Sequence, residues 1–319
     1  MNISQLDLSR LQFATTTIYH FLFVPVTIGL AVLVATLHAM WFRSGDPDLR
    51  RLTKFFGNLL VINIAIGVVT GLVQEFEFGM NWSQYSRFVG DVFGAPLAME
   101  GLAAFFLEST FLGLWWFGWD ILGKKMHLVS IWAVALGATL SAAFIMAANS
   151  WMQHPVGYQI NPATGRPQLT SISALFTNPV FVWGYLHVIL ASLLTGALVV
   201  LSVSAWHLRK KSNTELFVRT TKVALAFLVP VSIAVLLVGS HLGMIETTYQ
   251  PMKVAAIQAQ WETCAPCSFS AAQIGGWTSS AETPTRILQI PRLLSVLATG
   301  SWNGQVVGIN ELQAQYEKQ

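Results

Sequence analysis

The stretch that decides the fold runs from Ala95 to Trp119 and reads APLAMEGLAAFFLESTFLGLWWFGW. Its charged side chains are Glu100 and Glu108, and the rest is apolar and long enough to cross a lipid bilayer. A carboxylate at bilayer depth costs at least roughly 2.5–3.5 kcal/mol on the mildest insertion scale. We therefore expect the two acids to be protonated, paired or used, and they indicate a proton path or a cofactor site.

The composition of the whole chain indicates a membrane protein. Of its 319 residues, 54% are hydrophobic and 10% are charged, and the mean hydropathy is +0.55. Soluble proteins carry about 25% charged residues. Six apolar segments are long enough to span a bilayer, and they lie near residues 14–42, 55–76, 95–118, 128–150, 179–206 and 222–244. The sequence therefore predicts an all-α, polytopic membrane helix bundle with six transmembrane helices and a long extracytoplasmic loop.

The distribution of Lys and Arg among the loops predicts the orientation. The loops after the first, third and fifth segments contain Arg43, Arg50, Arg51, Lys54, Lys124, Lys125, Arg209, Lys210, Lys211, Arg219 and Lys222, whereas the short alternate loops contain Arg87 and Arg166. Basic loops stay in the cytoplasm, so the N-terminus and the tail from Ile245 onward are predicted to lie outside. The net charge of +3 comes from the cytoplasmic loops, so nucleic-acid binding has no support.

The sequence predicts two regions, a transmembrane region over residues 1–245 and an extracytoplasmic loop over residues 246–319. The loop contains two amphipathic-looking stretches, Pro251 to Trp261 and Ile287 to Leu297. It also contains both cysteines of the chain, Cys264 and Cys267. A C-x-x-C pair can be a redox dithiol or half of a zinc site. A local structural disulfide is favoured here because the predicted compartment is oxidising.

Two histidines lie on the outer halves of predicted spans, His20 in the first and His187 in the fifth. Neutral imidazole in an apolar core is the usual protein ligand of haem iron. The alternative is a histidine that hydrogen-bonds to a neighbouring helix. Because Glu100 is predicted at the same depth, cofactor ligation is favoured. Arg10, just before the first span, is either a surface charge or a partner for an acidic cofactor group.

The two acids also suggest a route for protons. Glu100 and Glu108 are eight residues apart, which is about 80° around an α-helix and about 12 Å along it. Together with Ser109, Asp120 and Ser141 they form a plausible ladder from the cytoplasm to the outer half of the membrane. The alternative is that protonated acids only hydrogen-bond neighbouring helices. Trp115, Trp116 and Trp119 are predicted to form an interfacial belt.

Several long motifs carry a resemblance to a known family. They are SRLQF at 9–13, YHFLFVP at 19–25, FGAPLAMEG at 93–101, FFLESTF at 105–111, FGWD at 117–120, ANSWMQ at 148–153 and KVAAI at 253–257. With these motifs the chain closely resembles subunit I of cytochrome bd, the bacterial quinol:dioxygen oxidoreductase. The resemblance covers the whole chain. It implies an enzyme that oxidises quinol at the outer face and reduces dioxygen to water.

The resemblance implies three haems near the outer face: a low-spin haem b, a high-spin haem b and haem d. His20 is then an axial ligand of a high-spin haem, and His187 is a ligand of the low-spin haem b. Glu100 would lie beside the oxygen-reducing pair. The implied carriers of protons from the cytoplasm are Glu108, Ser109, Asp120 and Ser141. Lys253 would be a quinol-site residue in the family's quinol-binding loop.

The resemblance also implies partners and a location. The partners would be subunit II of cytochrome bd, small single-helix subunits, quinol, dioxygen and membrane lipid. The location would be the bacterial cytoplasmic (inner) membrane, as a multi-pass protein. Family members continue through three further helices that supply two more haem ligands. The resemblance thus implies that this sequence stops within the quinol-binding loop, and we expect that these 319 residues alone do not complete the reaction.

One departure from the family concerns the quinol site. The family often has a glutamate five residues after the lysine that corresponds to Lys253, and here that position is Gln258. An amide cannot act as the base that deprotonates quinol. The hypothesis that follows is that Glu262 or His241 takes this role, or that the quinone preference differs.

Two other classes of function compete with this interpretation. A haem b electron-transfer subunit without oxygen chemistry would keep the histidines but would not need the two acids. A proton-coupled transporter would also bury glutamates, but it would usually have paired, interrupted helices in two halves. The sequence lacks such symmetry.

Overall fold

A computed structural model describes residues 4–276, 278–279 and 282–318 of the chain. The predicted six spans are confirmed as six long, apolar helices. The long helices are α1 (Gln5–Ser44), α2 (Pro47–Gly79), α3 (Ser83–Met99), which continues through a π-helical segment (Glu100–Phe105) into α4 (Phe106–Phe117), α5 (Lys124–Gln153), and, after the short α6 (Ile172–Thr177), α7 (Pro179–Arg209) and α8 (Thr214–Tyr249). These helices extend beyond the predicted segments because hydropathy detects only their apolar parts.

Small elements complete the fold and add two hairpins to the predicted all-α bundle. They are β1 (Tyr158–Ile160), β2 (Pro167–Leu169), α9 (Pro251–Ile257), β3 (Phe269–Ile274), β4 (Thr285–Ile290), α10 (Leu293–Thr299) and α11 (Ile309–Tyr316). β1 pairs with β2 and β3 pairs with β4, both antiparallel. The predicted amphipathic stretch 287–297 is therefore divided between β4 and α10.

The predicted boundary between residues 245 and 246 lies inside α8, which continues to Tyr249. The last turn of α8 and the polar tail are therefore continuous in structure. The division into two regions stays a prediction, and its extreme residues, 1–3 and 319, lie outside the described residues.

The three basic loops lie together at one end of the bundle. Asp46, between α1 and α2, accepts a hydrogen bond from the backbone N–H of Asp48 (2.9 Å) and pairs with Arg219 at the start of α8. These donors hold the pKa of the Asp46 carboxyl below its usual range, the Asp48 N–H most strongly. Arg50 at the start of α2 pairs with Asp120 after α4 (3.1 Å). The loops that the charge pattern places on one side of the membrane are thus neighbours.

Helix α1 is the centre of the bundle, because it packs against α2, α5 and α7. α7 in turn packs along α8, and α4 packs along α5. At the crossing of α1 and α7, a Cβ atom on Gly29 would overlap the carbonyl oxygen of Ser192 and the backbone of Gly196. Glycine therefore permits the two backbones to approach closely, as small residues do between membrane helices.

The N-terminal half of α1 is joined to α2 by a row of side-chain hydrogen bonds. Toward the N-terminus of α1, the pairs are His20–Thr70 (2.9 Å), Thr17–Gln74 (3.2 Å), Thr16–Glu77 (2.9 Å) and Gln12–Asn81 (2.8 Å). We call these four pairs the α1–α2 seam. They satisfy polar groups that have no water at membrane depth.

The basic end of the bundle contains a buried aromatic cluster. Trp115 and His38 are each 0% exposed, and His127 is 2% exposed. The indole N–H of Trp115 donates to Nδ1 of His38 (3.0 Å), and a His127 ring nitrogen contacts the Trp115 carbonyl (2.8 Å). The prediction that Trp115 belongs to an interfacial belt is wrong, since its side chain lies in the core.

The close crossing of α1 and α7 predicts that alanine at Gly29 lowers the stability of the protein more than alanine at a glycine elsewhere. Gly29→Ala should destabilise the assembled protein by about 1–3 kcal/mol, since its neighbours are backbone atoms that cannot move aside. Gly113→Ala in α4 is the matched control, because a Cβ there has open space around it. Thermal unfolding in detergent measures both. Equal melting temperatures for the two variants would contradict the close-packing interpretation.

Candidate functional site

Glu100 begins the π-helical segment that joins α3 to α4. Its Oε1 accepts a hydrogen bond from the hydroxyl of Ser141 on α5 (2.6 Å). Two of the residues predicted to form the proton ladder are therefore in direct contact. π-helical turns occur frequently at functional sites, and this one begins at the first of the two acids along the chain.

Glu108 lies on α4, packed against α5 where α5 has Gly137. The Glu108 residue is 9% exposed. A Cβ atom on Gly137 would approach the Cβ and backbone N of Glu108 to 2.9 Å. The absence of a side chain at position 137 therefore lets the backbone of Glu108 sit directly on α5.

The π-helical segment changes the angle between the two acids. The predicted angle of about 80° assumed an unbroken α-helix. Residues 100–105 instead form i→i+5 hydrogen bonds, which widen the helix and rotate it less per residue. Both acids nevertheless contact α5, since Glu100 accepts from Ser141 and Glu108 packs at Gly137.

A short part of α5 joins both acids to α7. Between Gly137 and Ser141, the carbonyl of Thr139 accepts a hydrogen bond from the hydroxyl of Tyr185 on α7 (3.0 Å). Tyr185 lies two residues before His187. One helical turn of α5 therefore contacts the Glu108 segment, the Glu100 carboxylate and the segment of α7 that carries the candidate ligand.

The ring of His20 is held by α2. Its Nδ1 lies 2.9 Å from the Thr70 hydroxyl, which also lies within donor distance of the Gly67 carbonyl (2.9 Å). If the hydroxyl donates to that carbonyl, its oxygen accepts from Nδ1–H and Nε2 keeps its lone pair. A Cβ on Gly71 would come within 2.9 Å of the ring. The neighbouring residues Thr70 and Gly71 therefore set the orientation of this imidazole.

The ring of His187 packs against α8 at Gly239. A Cβ atom on Gly239 would approach Cε1 of the ring to 3.0 Å. Nδ1 of His187 is buried and lacks a hydrogen-bond partner among the described residues. Buried polar atoms are nearly always hydrogen-bonded. Packing alone therefore does not explain why Nδ1 of His187 lacks a partner among the described residues.

The crossing of α1 and α7 also relates the depths of the two histidines. As the first and fifth spans, these helices run in the same direction, and Gly29 contacts Ser192 and Gly196. His20 precedes Gly29 by nine residues, or about 13 Å of helix. His187 precedes Ser192 and Gly196 by five and nine residues, or about 7–13 Å. Both lie on the same side of the crossing and at similar depth.

Three other predicted residues lie apart from this group. The Asp120 side chain is 85% exposed and pairs with Arg50. The Ser109 hydroxyl donates to the carbonyl of Phe106 (3.3 Å) in its own helix. Arg10 is exposed near the start of α1. Between Asp120 and Glu108 lies the apolar cluster around Trp115, so the structure does not bring the lower part of the predicted ladder together.

The predicted residues of the tail after α8 fall into separate groups. Nζ of Lys253 contacts Oε2 of Glu246 (2.6 Å) and Oε1 of Gln153 (2.5 Å). Oε1 of Glu262 instead accepts from Asn310 (2.7 Å). Cys264 and Cys267 are joined in a disulfide.

Comparison with known proteins decides the family. A family model described as cytochrome bd terminal oxidase subunit I matches residues 8–318. The chain is 44% identical over 322 residues to cytochrome bd ubiquinol oxidase subunit 1 of Bacillus subtilis (strain 168), covering 99% of this chain and 67% of that protein. The chain belongs to the cytochrome bd terminal oxidase subunit I family.

Two further relatives agree with this family. Cytochrome bd-II ubiquinol oxidase subunit 1 of Escherichia coli (strain K12) is 43% identical over 312 residues, covering 97% of this chain and 60% of that protein. A solved structure of the bd oxidase from Geobacillus thermodenitrificans superposes with a TM-score of 0.84 at 28% identity, covering 96% of this chain and 69% of that chain. The chain thus spans about two thirds of the length of its relatives.

The residues present fit the haem that this family implies. Imidazole is a common axial ligand of haem iron, and His20 and His187 lie at similar depth on adjacent helices. If the Thr70 hydroxyl accepts from Nδ1–H, Nε2 of His20 keeps a lone pair that could bind iron. The unpaired Nδ1 of His187 and the glycine beside its ring are also consistent with a bound group. Both histidines are therefore suitable ligands.

Two acids on α2 were not among the residues predicted from the sequence. Glu77 is 1% exposed, and one of its oxygens accepts from Thr16 while the other, Oε2, lacks a partner among the described residues. Glu75 lies two residues earlier on α2 and is exposed. The sequence contains the pattern Glu75-Phe76-Glu77 at the end of the second span, and this pattern could have indicated them.

Proposed function

We propose that this chain is subunit I of a terminal quinol:dioxygen oxidoreductase of the cytochrome bd type. It oxidises quinol at the outer face and reduces dioxygen to water at a high-spin haem pair, with protons taken from the cytoplasm. Two acids that pack on one turn of α5, the half-buried Glu100 and the buried Glu108, support this proposal most directly, because that turn also contacts the helix that carries His187. The relatives are named as ubiquinol oxidase subunits, which supports quinol as the substrate.

The orientation follows from the charge pattern. The three basic loops gather at one end of the bundle, linked by the Arg50–Asp120 and Arg219–Asp46 pairs. The positive-inside rule places that end in the cytoplasm. The tail after α8 and Glu77 of the α1–α2 seam then lie toward the outer face of the bacterial cytoplasmic membrane.

His20 and His187 are the haem ligands in this proposal. His187 holds the low-spin haem b, and His20 holds one of the two high-spin haems, haem b or haem d. When bound, these haems supply electron transfer and oxygen reduction. The protein holds the His20 imidazole in one orientation through Thr70 and Gly71. Arg10 is the proposed partner of a haem propionate.

Glu100 and Glu108 are the groups that hold and pass protons. Glu108 is buried against α5, and Glu100 lies further out with its carboxylate on the Ser141 hydroxyl. A proton that reaches Glu108 can be passed outward to the Glu100–Ser141 pair. Asp120 and Ser109 are the proposed groups at the cytoplasmic entrance. Ordered water would have to join Asp120 to Glu108, because apolar side chains separate them.

The outer tail, residues 246–319, is the proposed quinol-binding region, and residues 1–245 are the proposed haem-binding region. Lys253 is the proposed contact to the quinol headgroup. Glu262 has weaker support for this role, since its carboxylate is engaged by Asn310. The proposed partners are subunit II, small single-helix subunits and membrane lipid.

An optical spectrum of the purified full-length complex tests the proposal against its alternatives. Haem b together with the red-shifted chlorin band of haem d is the expected result. Haem b alone would favour an electron-transfer subunit without oxygen chemistry. A protein without haem would favour a proton-coupled transporter and overturn the proposal.

The buried position of Glu108 predicts the effect of its loss. Glu108→Gln keeps the shape of the side chain but removes the proton-carrying group, so oxygen consumption should fall by roughly tenfold or more. The haem content, measured from the optical spectrum, should not change. Glu215→Gln at the cytoplasmic start of α8 is the control. Normal oxygen consumption by the Glu108 variant would show that the relay assignment is wrong.

The Thr70 contact predicts a spectroscopic effect. Thr70→Val removes the partner of Nδ1, which lowers the basicity of the imidazole and weakens its bond to iron. The iron–histidine stretching frequency in resonance Raman spectra should fall, and Thr70→Ser should restore it. Thr17→Val is the matched control, since Thr17 pairs with Gln74 in the same seam without touching His20. An unchanged iron–histidine frequency in Thr70→Val would show that Thr70 does not tune the His20 imidazole.

A further inference from the structure

Lys253 and Glu246 form an ion pair where α8 ends and α9 begins. Oε2 of Glu246, in the last turn of α8, lies 2.6 Å from Nζ of Lys253. The Glu246 side chain is only 16% exposed, and the Lys253 side chain is 42% exposed. The carboxylate is thus the more enclosed partner, while the ammonium group opens to the surface.

The end of α5 completes a polar cluster around this pair. Oε1 of Gln153 accepts from Lys253 (2.5 Å), and the Gln153 carbonyl accepts from Gln250 (2.5 Å). The ring of His154 lies 3.9 Å from that of Tyr249. Three helices therefore converge on one charged pair at the border between the membrane helices and the tail. We call Glu246, Lys253 and Gln153 the α8–α9 cluster.

The other residues considered for the quinol site make different contacts. Gln258 is 8% exposed, and its Oε1 accepts from the backbone N–H of Ser270 (3.1 Å), which ties α9 to β3. Glu262 is bonded to Asn310. The His241 ring lies against that of Trp183, with 3.9 Å between their centroids. Position 258 is therefore a structural position in this chain, and Glu246 is the carboxylate that contacts Lys253.

We propose that Glu246 is the residue that accepts the hydroxyl proton of bound quinol, with Lys253 as the group that stabilises the resulting anion. This assignment rests on the proposed function. The O–H bond of the quinol hydroxyl breaks, its proton bonds to the Glu246 carboxylate, and the electron pair stays on oxygen as a quinolate. The ammonium group of Lys253 then faces that oxygen, so one negative charge replaces another beside the same cation.

The contacts of Lys253 within the described residues include one carboxylate, that of Glu246. The titratable groups that contact or adjoin the cluster are Tyr249 on α8 and His154 after α5. α10 packs on α8 but contains only Leu, Ser, Val, Ala and Thr residues, and the first two turns of α7 are uncharged. On α11, which packs on α9, the Glu311 carboxylate accepts from Thr263 (2.5 Å). Glu246 is thus the carboxylate of this cluster.

Glu246→Gln in the full complex tests the assignment. With short-chain ubiquinol or menaquinol as substrate, we expect kcat/KM at neutral pH to fall by roughly tenfold or more. The remaining rate should rise with pH, since quinol must then lose its proton to solvent. Glu246→Asp should recover part of the rate. The optical spectrum and the reduction of the haems by dithionite should match the wild type.

Further variants distinguish an error in the Glu246 assignment from an error in the proposed quinol site. Glu311→Gln changes a tail acid outside the cluster and should leave the kinetics unchanged. If Lys253→Gln lowers the rate but Glu246→Gln keeps both rate and pH profile, the role of Glu246 is overturned and the quinol site stands. Rescue of Glu246→Gln by Gln258→Glu would support it, because position 258 has no base in this chain and the new carboxylate would replace the one that was lost. If neither Lys253→Gln nor Glu246→Gln has an effect, the proposed quinol site itself is wrong.

Discussion

Hydrogen bonds between polar side chains on neighbouring helices are the interactions on which the arrangement of this bundle depends. Inside a membrane, a polar group without a protein partner costs several kcal/mol. The α1–α2 seam supplies four such hydrogen bonds, and the His20–Thr70 bond among them holds the ring of His20. The Ser141–Glu100 bond does the same between α5 and the π-helical segment. The candidate site is therefore built from the same contacts that hold the helices together.

Close backbone contacts set the depth of the functional groups. Glycine at position 29 brings α1 directly onto α7, and glycine at position 137 brings α5 directly onto Glu108. Because these contacts lie at backbone distance, the helices have little freedom to slide. His20, His187 and the two acids are consequently held at defined levels relative to one another. An oxidoreductase that moves electrons and protons between fixed groups requires such a frame, because positioning of the reacting groups lowers the barrier.

Much of the fold could be predicted from hydropathy and charge. The six spans and the grouping of the basic loops follow from length, composition and the Lys/Arg pattern, because lipid penalises polar residues strongly and uniformly. The two acids and two histidines were found because a polar residue in an apolar run is conspicuous. Glu75 and Glu77 were missed because they lie near the end of a span, where charges are common. The burial of Trp115 with His38 and His127 was missed for the same reason, since aromatic residues at helix ends usually face the interface.

The sequence by itself determined which segments cross the membrane, which residues are chemically suited to hold haem and protons, and that Gln258 cannot be a base. Only the tertiary structure decided which of these residues meet. The π-helical turn at Glu100, the hydrogen bond from Ser141, the Thr70 contact to His20 and the pairing of Lys253 with Glu246 all depend on how one helix is rotated and shifted against another. A membrane-spanning helix is apolar on nearly all of its faces, so its composition shows that it crosses the membrane. It does not show which face meets a neighbouring helix or how far the two helices are shifted along each other. Those two properties come from side-chain contacts between helices.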